Sequence, residues 1–270
     1  MQIADIPLEA VKGIAQRAGQ AALEVYRRQD AWVTQKSDGS PLTEADMASE
    51  WIIHAEIPKL DPSIPYLSEE SEPTSFDARR DWRRFWLVDP LDGTKEFIKR
   101  TDEFTVNIAL IEDGIPVLGV IVAPALEVTY FASKSVGAWK EKDGEAPRQI
   151  RSQLADPTRP LRIVESVSHP SPELEQFLGS FQVSERLKIG SSLKFCLLAE
   201  GSADLYPRLG PTMEWDVAAG DCIYRCSAEG ASPHPSSLTY NKASLRNDRF
   251  VLGLVPGTYA LPPGATPPAG

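Results

Sequence analysis

Cysteine is scarce in this chain, and the three that occur, Cys196, Cys222 and Cys226, are odd in number and lack the spacing of a small stapled scaffold. That excludes a disulfide framework and predicts reduced thiols. Cys222 and Cys226 stand four apart on a predicted helix, yet no second Cys or His pair accompanies them, so they read as buried thiols rather than a zinc site. Long apolar runs are also missing: nothing approaches the ~18 residues of a membrane span, and the start of the sequence shows no basic stretch followed by an apolar one. The expected location is therefore the cytoplasm. Positive charge is in deficit, with Lys+Arg 28 against Asp+Glu 38 and a net charge of -10. This balance disfavours a nucleic acid polymer, whose affinity depends on neutralising phosphates with bases. A small phosphorylated ligand is still allowed, because bound metals and a few local bases could meet its charge. No internal repeat is visible.

What is present is ample material for a core. A length of 270 residues with 42% apolar content suits one large or two closely joined domains. The most informative stretch runs from Trp86 to Thr94. Residues 85–88 are a continuous apolar run closed by turn residues and read as a buried strand, with Asp89 at its end. Pro90 fixes φ and is expected to end the ladder, so the turn can gather Asp89 and Asp92 on one side. Two carboxylates about 4 Å apart repel by roughly 4 kcal/mol at an effective dielectric near 20, which makes a divalent cation between them the best fit. The alternative is that Asp89 caps a turn while Asp92-Gly93-Thr94 opens a helix.

The surrounding pattern supplies further acids. Residues 8–26 carry apolar side chains at helical spacing, and a turn-rich loop over 36–41 leads into a second predicted helix, from Thr43 through Ile53. Thr43 and Asp46 fit a capping box, which is the plain role of Asp46 taken alone. Residues 65–71 repeat the central theme, a short apolar piece running into Glu69 and Glu70; the two strand ends could share one cleft, although a Ser-Glu-Glu-Ser loop also suits a solvated turn. Runs at 104–111 and 117–123 are joined by a hairpin signal, and 128–132 and 137–140 extend the sheet. From about residue 155 strands and helices alternate: strands at 161–166, 187–189, 204–206 and 250–255, and helices at 172–178, 192–199 and 215–227. The expected division is an α+β domain over 1–154, a smaller α/β domain over 155–255 and a disordered Pro/Gly-rich tail over 256–270. Asp216, at the start of the 215–227 helix, suits the helix dipole and also offers a ligand from the second domain.

Together the segments Thr43–Asp46, Ser68–Ser71, Trp86–Thr94 and Trp215–Gly220 resemble the lithium-sensitive, magnesium-dependent phosphomonoesterases of the inositol monophosphatase superfamily. Within it, Leu91–Ile98, Gly190–Cys196 and Leu205–Arg208 are similar to the bacterial 3′(2′),5′-bisphosphate nucleotidases. The resemblance implies a layered αβαβα sandwich of α+β and α/β parts. It implies removal of the 3′-phosphate of 3′-phosphoadenosine 5′-phosphate, leaving AMP, with the sulfated form of that nucleotide as a further substrate. It also implies two or three Mg²⁺ per active site: one held by Glu69, Asp89 and the Leu91 carbonyl, a second by Asp89, Asp92 and Asp216, and a third near Glu69 and Glu70. Thr94 and Asp46 match the pair that orients and deprotonates the attacking water. The Gly93 and Thr94 N–H groups would receive the phosphate, with Asp216 also bordering the substrate, and His169, Ser191, Lys194 and Arg208 would contact the nucleotide. Cys222–Cys226 departs from the small-residue helix expected there, which bears on packing rather than metal binding.

Competing readings are an inositol or sugar phosphate as substrate, a silent metal-binding regulator, and a serine acyl-transfer enzyme from Ser191-x-x-Lys194, whose S-D-N and K-T-G partner motifs do not occur. The partner is expected to be a small nucleotide, the protein a monomer or homodimer, and peripheral attachment to the inner face of the inner membrane is left open.

Overall fold

The computed structural model describes residues 6–262 apart from 29, 31, 37, 38, 40, 168–171 and 231. In chain order, helix α1 (Leu8–Arg27) leads to the short hairpin β1 (Val33–Gln35) and β2 (Pro41–Thr43), then α2 (Glu44–Leu60) and β3 (Tyr66–Ser68). A short α3 (Phe76–Arg79) precedes β4 (Arg84–Asp92), α4 (Thr94–Lys99), β5 (Thr105–Glu112), β6 (Ile115–Ala123), β7 (Val128–Ser133), β8 (Gly137–Lys142) and β9 (Arg148–Ile150). The second half comprises β10 (Leu161–Ser166), α5 (Pro172–Leu178), β11 (Val183–Ile189), α6 (Leu193–Ala199), β12 (Tyr206–Arg208), β13 (Thr212–Met213), α7 (Glu214–Cys226), β14 (Arg246–Asn247) and β15 (Phe250–Leu252).

Strands β3 to β9 form one seven-stranded sheet in sequence order, antiparallel except for the parallel β3–β4 pair. Side chains alternate across a strand, so its central strands feed two cores at once. Trp86, Val88, Val106, Ile108, Leu110 and Val120 pack with Val11 and Ile14 of α1 and Ile53 and Ile57 of α2. Phe85, Leu87, Ala109, Ile111 and Ile121 face the other way, onto Phe195 of α6 and Val217, Ala218 and Cys222 of α7. Burial on both faces is why the central strands read as unbroken apolar runs.

A second, smaller β layer lies beyond α6 and α7: two two-stranded sheets, the parallel pair β10–β11 and the antiparallel pair β12–β15, joined by the parallel bridge from Ile163 to Leu205. Val164, Tyr206 and Phe250 face α6 and α7, whereas Ile163, Leu205 and Val251 face Leu174, Phe177 and Leu178 of α5. The expected αβαβα layering is therefore the observed one. Close helix-on-sheet approach comes from glycine: a Cβ on Gly119 would lie 2.6 Å from the Ala219 carbonyl, and one on Gly220 would lie 2.4 Å from the Phe195 ring. Cys222 is fully buried in that seam, so it fits the packing that its presence put in question. Cys226 is only half-buried.

Two expectations change. α2 runs on past Ile53 to Leu60 with Pro58 in its last turn, because Ile53 and Ile57, one turn apart, keep one face in the core. Residues 256–262 of the expected tail make contacts: the Tyr259 ring meets Phe177, and Arg249 donates to the Pro262 carbonyl at 2.8 Å. Among the described residues no helix is long and apolar enough to cross a membrane.

Candidate active site

The parallel pairing of β3 with β4 brings two acid-bearing strand ends side by side. Ser68 stands opposite Val88, and the Glu69 N–H donates to the Val88 carbonyl at 3.1 Å, so Glu69 emerges beside Asp89. β4 does not stop at Pro90. Asp89 pairs with Asn107 and Asp92 with Thr105, three steps on β4 against two on β5, so one extra residue bulges out at Pro90-Leu91. The bulge bends the strand and re-aims its last side chains, and the Leu91 N–H closes it by donating to Asp89 Oδ1 at 3.0 Å. Gly93 then adopts φ +89, a left-handed conformation that glycine takes without penalty, and α4 begins at Thr94.

Asp216 arrives from α7, where its carboxylate accepts the Met213 N–H at 2.8 Å. Carboxylate oxygens of Glu69, Asp89 and Asp216 lie within 4.8 Å of one another. Burial raises the pKa of all three, and mutual repulsion adds to it: Glu69, Asp92 and Asp216 act on Asp89, while Asp92 and Glu69 act on Asp216. For Glu69 the nearby Lys36 partly offsets the rise. Such a cluster is electrostatically unfinished, and all its donors are hard carboxylate oxygens, so the residues fit a hard cation such as Mg²⁺. Lys36 is the positive group at its edge, 2.7 Å from Glu69 and 2.5 Å from Glu70. Burial opposes the charge on Lys36, but the two glutamates overcome this and raise its pKa.

Asp46 completes the capping box of α2, accepting from the Thr43 N–H at 2.8 Å and the Thr43 hydroxyl at 2.6 Å. Burial nevertheless raises it to about 7, with the Thr43 bonds pulling down and the charges of Glu70 and Glu69 pushing up. Thr94 donates to the Leu91 carbonyl at 3.4 Å, so the Thr94 and Asp46 side chains are not hydrogen-bonded to each other here.

A cleft of about 470 Å³, counting its open mouth, is lined by Asp92, Gly93, Ser191, Lys194, Arg208 and Asp216 among others. It thus unites most of the expected substrate residues. Lys194 is buried and donates to the Ile189 and Ser191 carbonyls at 3.2 and 2.5 Å; burial lowers its pKa to about 8 against the pull of Asp92. Arg208 donates to the Pro211 carbonyl at 3.1 Å, while its Nε is buried without a partner. His169 lies outside the described residues.

Sequence reasoning missed Lys36, Ser192 and Asn107. Lys36 sits in a loop with no periodic signal. Asn107 did leave one, a polar residue inside the apolar run 104–111, which is the kind of exception that marks a buried network.

The chain belongs to the inositol monophosphatase family, whose model matches residues 7–228. More narrowly, it is similar to the 3′(2′),5′-bisphosphate nucleotidase CysQ of Salmonella typhimurium, at 50% identity over 84% of this chain and 89% of the relative. The CysQ of Escherichia coli strain K12 is 48% identical with the same coverage. A crystal structure of CysQ from Bacteroides thetaiotaomicron matches with a TM-score of 0.75 and 38% identity, covering 91% of this chain and 95% of that one.

Proposed function

We propose that this chain is a 3′(2′),5′-bisphosphate nucleotidase that hydrolyses 3′-phosphoadenosine 5′-phosphate to AMP and inorganic phosphate, and the corresponding 5′-phosphosulfate by the same route. The observation that carries this reading is a single cleft holding carboxylates for cations together with two bases, Lys194 and Arg208, for a second anionic group. The unpartnered Arg208 Nε is a buried donor that a phosphate oxygen would satisfy. A simple inositol phosphatase has no second phosphate to meet, and the similarity to CysQ supports the same choice.

Glu69, Asp89 and the Leu91 carbonyl would hold one Mg²⁺, Asp89, Asp92 and Asp216 a second, and Glu69 with Glu70 a weaker third. When bound, Mg²⁺ supplies Lewis acidity toward the phosphate and a lower pKa for water. The chain's own residues do the rest. Gly93 and Thr94 offer backbone N–H groups at the start of α4 to the scissile phosphate, and the absent Cβ of Gly93 permits close approach. Asp46, with its pKa near 7, is suited to take the proton of the water that Thr94 orients. The water oxygen bonds to phosphorus, the bond to O3′ breaks, and O3′ takes up a proton. Lys194 and Arg208 hold the 5′-phosphate, Ser191 borders the ribose, and His169 is assigned to the same end. The substrate is a small cytoplasmic metabolite rather than a nucleic acid.

The test compares phosphate release from 3′-phosphoadenosine 5′-phosphate and inositol 1-phosphate in Mg²⁺, with and without Li⁺. A strong preference for the nucleotide, with loss of rate in millimolar Li⁺, is expected. Preference for inositol phosphate would overturn the substrate assignment, and release from neither would overturn the enzymatic one.

A further inference from the structure

We propose that Ser192 is a positioning residue of the acidic site: set by Asn107, its hydroxyl ties the Asp92 carboxylate at the end of β4 to the first turn of α7, where Asp216 resides. The role of the acids rests on the nucleotidase reading; their placement rests on bonding alone. Ser192 is 2% exposed. Its Oγ accepts from Asn107 Nδ2 at 2.9 Å and lies 2.9 Å from Asp92 Oδ2 and 2.7 Å from the Asp216 carbonyl. A hydroxyl has one proton and two lone pairs. With Asn107 donating to it, its single proton is directed to Asp92 and Asp216, which come from opposite halves of the chain.

Asn107 is itself fixed, because the Thr105 hydroxyl donates to its Oδ1 at 2.9 Å. These two β5 residues are the register partners of Asp89 and Asp92 on β4. The strand that faces the acids therefore carries polar side chains just where it meets the 190–192 turn. Ser191 contributes from the same turn: its hydroxyl donates to Asp92 Oδ2 at 2.6 Å and lies 2.6 Å from Thr105 Oγ1. Its backbone holds φ +53, which a residue with a Cβ seldom adopts. Glu103 secures the next position back, accepting the Gly190 N–H at 2.8 Å, and a Cβ on Gly190 would strike Glu96 Cγ at 2.7 Å. The two hydroxyls converge on one Asp92 oxygen and fix the direction in which its other oxygen faces.

Groups that orient ligand carboxylates tune cation affinity about as strongly as they tune activity, typically by 10–100-fold. A joint that merely links β11 to α6 would affect folding and leave cation affinity alone. The test uses the full-length wild type, Ser192→Ala, Ser192→Thr and Asn107→Ala, each stripped with EDTA. Mg²⁺ midpoints are read by calorimetric titration and by the rise in melting temperature, and compared with the Mg²⁺ dependence of phosphate release. Ser192→Ala is expected to raise all three midpoints by about 10–100-fold. Ser192→Thr, which keeps the hydroxyl, should restore them, and Asn107→Ala should shift them in the same direction by less. A lower melting temperature in EDTA with unchanged Mg²⁺ midpoints would overturn the proposal. If Ser192→Ala does not fold, unchanged midpoints in Asn107→Ala overturn it equally. Should the wild type bind Mg²⁺ but release no phosphate from the nucleotide, the nucleotidase reading fails, and the two binding midpoints still decide the role of Ser192.

Discussion

Replacing Asp89 with asparagine should stabilise the metal-free protein while abolishing its turnover, two effects of opposite sign from one charge. Asp89 shares a cluster with Glu69 and Asp216 in which carboxylate oxygens lie within 4.8 Å of each other. At an effective dielectric near 20, each ionised pair at that distance costs about 3.5 kcal/mol, so two pairs would cost about 7. The protein escapes part of this by protonating an acid. At pH 7 that alternative costs about 4 kcal/mol for an ordinary aspartate, which caps the strain. Asparagine keeps the shape and the acceptor for the Leu91 N–H at 3.0 Å. Asp89→Asn in EDTA at pH 7 should therefore gain about 2–4 kcal/mol, a rise of roughly 5–15 °C in melting temperature for a chain of this size. The folded pKa values of Glu69, Asp89 and Asp216 are raised, so this cluster favours the fold most at pH below their unfolded values and loses that contribution as pH rises through the folded ones. Wild-type stability in EDTA should accordingly fall as pH rises above the ordinary carboxylate range, and the variant's should fall less. With Mg²⁺ at a thousand times its dissociation constant the wild type gains about 4.1 kcal/mol while the variant gains little, so the variant's advantage is cancelled or reversed. Differential scanning calorimetry in EDTA and in Mg²⁺, beside phosphate release, reads every part of this. A variant less stable than wild type in EDTA, or one that keeps Mg²⁺-dependent turnover, would refute the reasoning.

Three further outcomes are expected. Because Asp46 is raised to about 7, chiefly by burial, kcat/KM should climb with an acid limb near pH 7 or somewhat below once cations offset Glu69 and Glu70. Asp46→Asn should flatten that limb and lower kcat by about 10²–10⁴, and an unchanged pH profile would count against proton acceptance by Asp46. Lys194→Met and Arg208→Gln should each raise KM for the bisphosphate nucleotide by about 10–100-fold, the worth of one charge-assisted hydrogen bond, while affecting a monoester without the second phosphate far less. Equal effects on both substrates would remove the phosphate from their vicinity. Gly253 holds φ +101, and an added Cβ would sit 2.1 Å from the Asp204 carbonyl, so Gly253→Ala should cost at least about 2 kcal/mol in a denaturant titration. Wild-type stability there would contradict the described backbone.

The parts of the fold that depend on local pattern were legible. α1, the hairpin β5–β6 and the pair β10–α5 follow from spacing and turn residues, and they appear within a few residues of where the sequence places them. What the pattern could not supply was pairing. That β3 lies parallel to β4, and so delivers Glu69 beside Asp89, is a contact between strands separated by a loop and α3. Pro90 misled for a similar reason: its missing N–H ends an ideal ladder, but a one-residue bulge accommodates it and carries β4 on to Asp92. At the site, Asp46 and Asp216 were each readable as helix-start acids, and that role is real, since both accept backbone N–H groups three residues back. What local pattern does not show is that α7 and the two strand ends bring Asp216 beside Glu69 and Asp89, with the charges of Glu69 and Glu70 acting on Asp46. Lys36 and Ser192 act wholly through such distant partners, and nothing in their own neighbourhoods announces it.

The most direct measurement is to identify the products formed from 3′-phosphoadenosine 5′-phosphate in Mg²⁺ and in EDTA by phosphorus NMR. Conversion to AMP and inorganic phosphate in Mg²⁺, with the 5′-phosphate retained and no reaction in EDTA, is the predicted result. Release of the 5′-phosphate to leave adenosine 3′-phosphate, or equal conversion in EDTA, would contradict it.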